Sequence, residues 1–497
     1  MAGIAQKNGY NTSLQKFHYC KTRNDETTDM NISQSLFVVV VGLLLLLNLV
    51  GTIYDVCTEG ENKNRLLTAW SIRANCRRLV TVHDDPRLTS LAPIQGGRVL
   101  LVWLVILTHT SQIHPMLYLY KPSDFEDLIA HPMAMLVRNG TALVQCFIVI
   151  SNFLFSYSLL YYAKSNPVSM KFFPMVVLQR VARLMPVYLL VVAYAATWWP
   201  LAADGPQWPA IVGTESQVCR DKFWSHALFL NNFYRADEQC LIQTWFLAVD
   251  MQLYLISAVL MLWLVQRRRW VAPLLTLLFI LSTLANIGMA YVFNWKSLIY
   301  IIVPESLRTT FHHEPSFSEF YTAPWGSLPA CFLGLLFGYL HFEIQEHGYK
   351  ITKHKLLISV YHLSIPIFVA WILSGNLLHE NSTRTMTALY TGIERPVFAL
   401  LTGILLLGFA NNVDNWYRRY FAWRGFQSLG RISLSVLMLH WCINMIVSAR
   451  RPSLVAFSVF TMSGDSLATS FYSHIFAIPL TMMVELPIQR TFTALVT

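Results

Sequence analysis

The chain has 497 residues, of which 55% are hydrophobic and only 13% charged, and it carries a formal net charge of +10. A soluble protein must cover its surface with polar groups, and this composition supplies too few of them, so the chain reads as an all-α, polytopic integral membrane protein. Its basic residues fall in short clusters between apolar runs and form no single basic domain, which argues against nucleic acid as a partner and makes the clusters topology signals.

Residues 1–35 form a short polar tail without the apolar core of a signal peptide. The run 36–53, centred on Val-Val-Val-Val-Gly-Leu-Leu-Leu-Leu-Leu, is the first spanning helix. Asp25, Glu26 and Asp29 precede it, while Lys63, Arg65, Arg73, Arg77, Arg78 and Arg87 follow it. The positive-inside rule then predicts an extracellular or luminal tail and a cytosolic loop over 54–95. Ten further spans are predicted near 98–113, 141–162, 184–201, 244–265, 271–292, 326–342, 356–375, 388–410, 430–448 and 468–486. About eleven crossings place the C-terminus in the cytosol. Lys164 and Lys171, Arg267 to Arg269, Lys350, Lys353 and Lys355, and Arg418, Arg419 and Arg424 all land on the cytosolic side; the outside loops are sparser in Lys and Arg, although Arg450 and Arg451 break the pattern. Nothing separates the plasma membrane from the endoplasmic reticulum.

Of eight cysteines, Cys219 and Cys240 are the pair that shares one predicted outside loop, and a disulfide is expected between them. Cys57 and Cys76 face the cytosol as thiols, while Cys146, Cys331 and Cys442 sit in apolar runs as small packing residues. No zinc-ligand spacing is present, so no metal is expected. Sequons at Asn11, Asn31, Asn139 and Asn381 fall on the predicted outside, consistent with a glycoprotein.

The polar residues inside the spans sort by depth. Arg98 and His109 are eleven residues apart, which puts them on nearly one helix face about 16 Å apart along the axis. That face carries a cation at one membrane surface and a titratable base well inside. Asp250, in Gln-Thr-Trp-Phe-Leu-Ala-Val-Asp-Met-Gln, and His440, in Gly-Arg-Ile-Ser-Leu-Ser-Val-Leu-Met-Leu-His, reach a depth similar to that of His109. A carboxylate beside two imidazoles orients one of them as a general base; the bland alternative is a polar network that only fixes helix packing. Arg180 and Arg183 share a helix face at the cytosolic rim, where with Arg98 and Arg431 they are placed to hold phosphate groups or simply to anchor in lipid head groups. Glu485 on that rim is a candidate partner for one of them. Glu394 and Arg395 read as an ion pair, structural or functional.

These residues carry a family resemblance. Arg98 to His109 resembles the Arg-x10-His signature of the acyltransferase 3 family. Phe-Ile-Val-Ile-Ser-Asn-Phe-Leu at 147–154, Arg-x-x-Arg-Leu-x-Pro at 180–186, the 240–252 stretch through Asp250, Tyr-x-x-Pro-Trp at 321–325, the 430–440 stretch and Val-Glu-Leu-Pro-Ile at 484–488 resemble its animal, nose-resistant-to-fluoxetine-like branch, in family order. The resemblance implies one acyltransferase-like membrane domain over 96–490 and transfer of an acyl group from cytosolic acyl-CoA to a hydroxyl acceptor, carbohydrate or lipid, on the far side. Carried onto this chain, it makes His109 the base, Asp250 its orienting group and His440 a supporting residue. Arg98, Arg180 and Arg183 then bind the donor's phosphates.

Three positions depart from the pattern. The family's Ser-Gly-x-Leu is here Ser151-Asn152-Phe153-Leu154, and Ser327 and Cys331 stand where the branch has an arginine and an aromatic residue. The tail also replaces the branch's large extracellular domain. A second function class follows from the same residues: a catalytically inactive transporter of lipids or hydrophobic small molecules, whose pathway they would line.

Overall fold

The computed structural model describes residues 30–60, 63–81, 89–377 and 382–496, which form helices and, among the described residues, no β-strand beyond one isolated bridge between Leu119 and Val455. Ten of the described helical segments are long and apolar enough to cross a membrane. Arg424–Arg431 and Ser433–Ser448, bent by 66° at Ile432, pass the same test of length and composition together and bring the candidates to eleven if the bent pair is one span. The protein is thus an all-α polytopic membrane protein, because a bilayer leaves backbone N–H and C=O groups no partner outside the helix itself.

The longest elements are α1 (Ile32–Cys57), α2 (Ala92–Ile113), α3 (Gly140–Tyr162), α4 (Phe173–Thr197), α5 (Thr214–Ala227), α6 (Thr244–Leu264), α7 (Val271–Phe293), α8 (Leu328–Glu346), α9 (Lys355–Ser374), α10 (Arg384–Ala410), α11 (Ser433–Ser448) and α12 (Val459–Leu480). All but α5 belong to these candidate spans. One face of the bundle carries the start of α2 with Arg98, and the opposite face carries α5 and the loop up to α6; they are called here the arginine face and the disulfide face.

Local sequence sets the element ends. Asn31 caps α1 by accepting from Gln34 N at 2.8 Å while Gln34 Oε1 accepts from Asn31 N at 2.9 Å, a reciprocal capping box. Asn31 is therefore used structurally, Asn139 is buried where it precedes α3, and the sequons at Asn11 and Asn381 lie outside the described residues. Deeper in α1, buried Asn48 reaches across to donate to Met483 O at 2.9 Å, one of the polar ties that fixes this otherwise lipid-facing helix.

The most enclosed helices are α3, α6, α8 and α10, whereas α1 and α9 lie at the periphery. Close approach of α8 to α3 depends on Gly334 and Gly338, one turn apart. A Cβ there would lie 2.8 Å from Val149 O and 2.4 Å from Phe153 O, so only a residue without a side chain lets the backbones meet. Two of the sequence departures sit in this seam. Asn152 Oδ1 accepts from Ser257 Oγ at 2.6 Å, and Cys331 Sγ lies 3.1 Å from the same hydroxyl, so α3, α6 and α8 are joined by one buried contact. Ser327 accepts from Gln145 at 3.3 Å and from Arg395 at 3.1 Å.

The disulfide between Cys219 and Cys240 is present, with Cα atoms 4.9 Å apart. The five free cysteines among the described residues behave as read from the sequence: Cys57 and Cys76 are exposed, and Cys146, Cys331 and Cys442 are buried.

Candidate functional site

Four cavities follow one another through the bundle. The first, about 510 Å³, opens at the arginine face between α2, α3, α4 and α6, and is lined by Arg98, Ser151, Gln179, Arg180, Arg183 and Tyr254 among others. The second, about 90 Å³, shares the three arginines and Ser151 and adds Asp250 and Ser433. The third, about 60 Å³, shares Phe147, Phe246 and Leu437 with the second and holds His109, Gln112 and Gln243. A fourth, about 210 Å³, shares Gln112 with the third and lies toward the disulfide face among Phe125, Leu128, Met133, Arg138 and Phe457.

Helix periodicity explains the first two. Arg180 and Arg183 stand one turn apart on α4 and face Arg98 on α2 across the opening. Arg180 donates to Asp250 and, at 2.7 Å, to Ser151 Oγ, and its guanidinium lies 4.8 Å from the centre of the Tyr254 ring. Among the described residues, Arg98 and Arg183 have no carboxylate within ion-pair distance and no hydrogen-bond partner, although both are half-buried. Asp250 acts on both through space, and Glu485 on Arg183, but neither guanidinium has its donors taken, so this pair is suited to an anionic guest.

The third cavity is built around a pair of imidazoles. His109 Nδ1 and His440 Nε2 are 2.7 Å apart, with the rings stacked 15° from parallel. The other nitrogen of His440, Nδ1, lies 2.6 Å from Leu437 O. A carbonyl only accepts, so this bond assigns the proton to His440 Nδ1 and leaves Nε2 as the acceptor. His109 Nδ1 must then donate, and in the neutral ring its Nε2 carries the lone pair. Trp441 closes one side, edge-on to His109 with ring centres 5.6 Å apart, and its indole N–H donates to Glu215 of α5 at 2.9 Å. The remaining lining is mostly apolar, with Val105, Leu143, Val144, Ile242, Leu298 and Phe311 around the base.

Of the six site residues expected from the sequence, the structure brings all into this file of cavities or its wall, but the grouping differs in one respect. Asp250 turns to Arg180, which also donates to Ser151, and not to the imidazoles, because the guanidinium offers it a charge-assisted hydrogen bond on the side of α6 that faces α4. Two further expectations, for Arg431 and for the Glu394–Arg395 pair, are also corrected. Arg431 donates to the carbonyls of Arg78 and Leu79 at 2.7 and 2.8 Å and lines none of these cavities. Glu485, by contrast, does act on the charge of Arg183, although its hydrogen bonds come from Ser435 at 3.2 Å and Thr481 at 3.4 Å. Glu394 and Arg395, adjacent in the chain, point to different partners: Glu394 accepts from Ser297, while Arg395 donates to Ser327 Oγ and Tyr321 O.

Sequence reasoning passed over Gln112 and Gln243. Gln112 is three residues after His109 and so on its face, a signal that was available. Gln243 donates to Met438 O at 3.0 Å, a contact over 195 positions that no local pattern encodes.

Residues 92–480, more than three quarters of the chain, match the acyltransferase domain model of the acyltransferase 3 family. The chain belongs to this family. A further similarity is to nose resistant to fluoxetine protein 6 of Caenorhabditis elegans, 22% identical over 327 residues, which cover 64% of this chain and 39% of that protein. The chain thus spans about two fifths of the length of that relative. No solved structure matches. Within this acyltransferase 3 member, the Arg98 and His109 positions of α2 mark the two ends of the route from the unpaired guanidiniums to the imidazole pair.

Proposed function

We propose that this protein transfers an acyl group from acyl-CoA to a hydroxyl acceptor. The carrying observation is the pair of unpartnered guanidiniums, Arg98 and Arg183, at the head of a file of cavities that ends on His109 Nε2. In this reading Arg98, Arg180 and Arg183 hold the phosphates of the donor, with the arginine face cytosolic, and the acyl chain extends toward the third cavity. Asp250 is a positioning residue that orients Arg180.

The acceptor enters from the disulfide face. His109 Nε2 takes its hydroxyl proton as the oxygen attacks the thioester carbonyl; the C–S bond breaks, and coenzyme A leaves and recovers a proton. His440 Nε2 accepts the His109 Nδ1 proton throughout and so favours the imidazolium that forms. The lining supports an acceptor hydroxyl on an apolar body. A carbohydrate would bury many hydroxyls against Leu143, Val144, Ile242 and Leu298, at a cost of about 1–3 kcal/mol for each one left unbonded.

The test is coenzyme A release by the protein in lipid nanodiscs, offered acyl-CoA with a long-chain alcohol, a sterol or a monosaccharide. Wild type is expected to release coenzyme A with an apolar alcohol and His109→Ala to release none while still binding the donor. A second reading, passage of a hydrophobic molecule, is favoured by the continuity of the cavities. It predicts movement of substrate that survives His109→Ala, with no coenzyme A release from either protein.

A further inference from the structure

The turn between Thr309 and Glu314, on the disulfide face, does two things at once. It drives Phe311, 2% exposed, into the wall of the His109 cavity, where the ring stacks on Phe317 with centres 4.3 Å apart. The next two residues, His312 and His313, are exposed on the outer surface with ring centres 3.8 Å apart. The backbone reaches this arrangement through left-handed φ values at Thr310 (54°), Phe311 (61°) and His313 (62°), a conformation that side-chain-bearing residues adopt only when something holds them there.

Facing the two imidazoles is Asp237, whose Oδ2 lies 4.0 Å from His313 Nδ1. Asp237 sits on a braced loop. The loop is closed by the disulfide between Cys219 and Cys240, and buried Lys222 pins it from beneath by donating to the carbonyls of Asn231, Arg235 and Glu238 at 3.0, 3.0 and 2.6 Å. One carboxylate oxygen and one nitrogen from each histidine all fall within 4.8 Å of one another. Ligands around tetrahedral zinc are about 3.3 Å apart, given metal–ligand distances of about 2.0–2.1 Å, and side-chain rotation alone covers the difference.

We propose that Asp237, His312 and His313 form a binding site for a divalent transition metal of the zinc class, and that its occupancy locks the Phe311 turn against the braced loop. Two imidazoles and one carboxylate are a ligand set suited to zinc, with a fourth position left for water. The ion would tie the strained turn to the rigid loop and so fix Phe311 in the cavity wall. Linear sequence hides such a site, since its ligands come from two loops about 75 positions apart.

The experiment is titration of tag-free, full-length protein in nanodiscs with zinc chloride, followed by calorimetry, and hydrogen exchange over residues 306–317 with and without zinc. The expected result is one zinc per chain, an affinity lowered about tenfold or more by Asp237→Asn and by His313→Ala, and slower exchange in the turn on zinc addition to wild type only. His347→Ala, an exposed histidine elsewhere, is expected to bind as wild type does. Thermal melting of each variant without zinc checks that its fold is intact. Absence of a saturable site, or binding that both variants leave unchanged, overturns the site. Binding without any change in exchange over 306–317 overturns the link to Phe311. Neither outcome depends on acyl transfer.

Discussion

The two ends of the cavity file are built on opposite principles. At the arginine face the space is wide, polar and cationic, and two of its three guanidiniums lack a hydrogen-bond or ion-pair partner among the described residues. Around His109 the space is narrow and largely apolar, and the imidazole pair is locked by a chain of hydrogen bonds ending on a backbone carbonyl. The contrast teaches a division of labour: guanidiniums with free donors are suited to binding, while a base oriented by hydrogen bonds, with one lone pair left open in a largely apolar space, is suited to proton transfer.

The contrast can be broken first at the imidazoles. His440→Leu removes the acceptor for the His109 Nδ1 proton and frees the tautomer. Coenzyme A release is expected to fall by about 10²-fold or more, with donor affinity unchanged; equal loss of donor affinity would dissolve the division. Next comes the disulfide-closed loop on the disulfide face. The double variant Cys219→Ala with Cys240→Ala opens a loop whose closure is worth about 3 kcal/mol in the chain-entropy model. A lowered melting temperature and faster proteolysis at the disulfide face are expected, with donor binding retained.

Arg183→Ala tests the wide end. Loss of one charge-assisted contact is expected to weaken coenzyme A binding by about 10- to 100-fold, equivalent to about 1.5–3 kcal/mol, while turnover at saturating donor changes little. A fall in turnover without a change in binding would place this arginine in the chemistry instead.

The smallest effect concerns pH. Glu215 of α5 accepts from Trp441 and from Leu241 N at 2.8 Å, yet burial outweighs both donors and pushes its carboxyl up to about 7. A raised carboxyl contributes stability that is fully present below its ordinary value of 4.5 and is lost as pH rises through 7. His226, on the same helix, runs the other way: burial lowers its imidazole to about 3, so its contribution is lost as pH falls. Glu215→Gln isolates the first. Its melting temperature relative to wild type is expected to rise between pH 5 and pH 8, and Trp441 fluorescence is expected to lose its pH step over that range.

Much of this molecule was legible in one dimension. Runs of apolar residues gave the crossings because a bilayer demands about twenty of them in succession. The eleven-residue spacing gave the common face of Arg98 and His109 because helical geometry is fixed, and the shared loop of Cys219 and Cys240 gave the disulfide. Asn152 and Cys331 looked like separate losses from a family pattern, and only in three dimensions do they meet, on either side of Ser257.

What the sequence determined by itself, then, is the position of each polar group along its own helix and the face on which it lies, since both follow from rise and rotation along a single rod. What the tertiary structure decided is which rod each face meets. His109 found His440 across 331 positions, Asp250 found Arg180 and left the imidazoles, and Arg431 turned away to the carbonyls of Arg78 and Leu79. Helix order and rotation are set by packing, by small residues such as Gly334 and Gly338 that let two backbones close, and no periodicity within one helix contains that information.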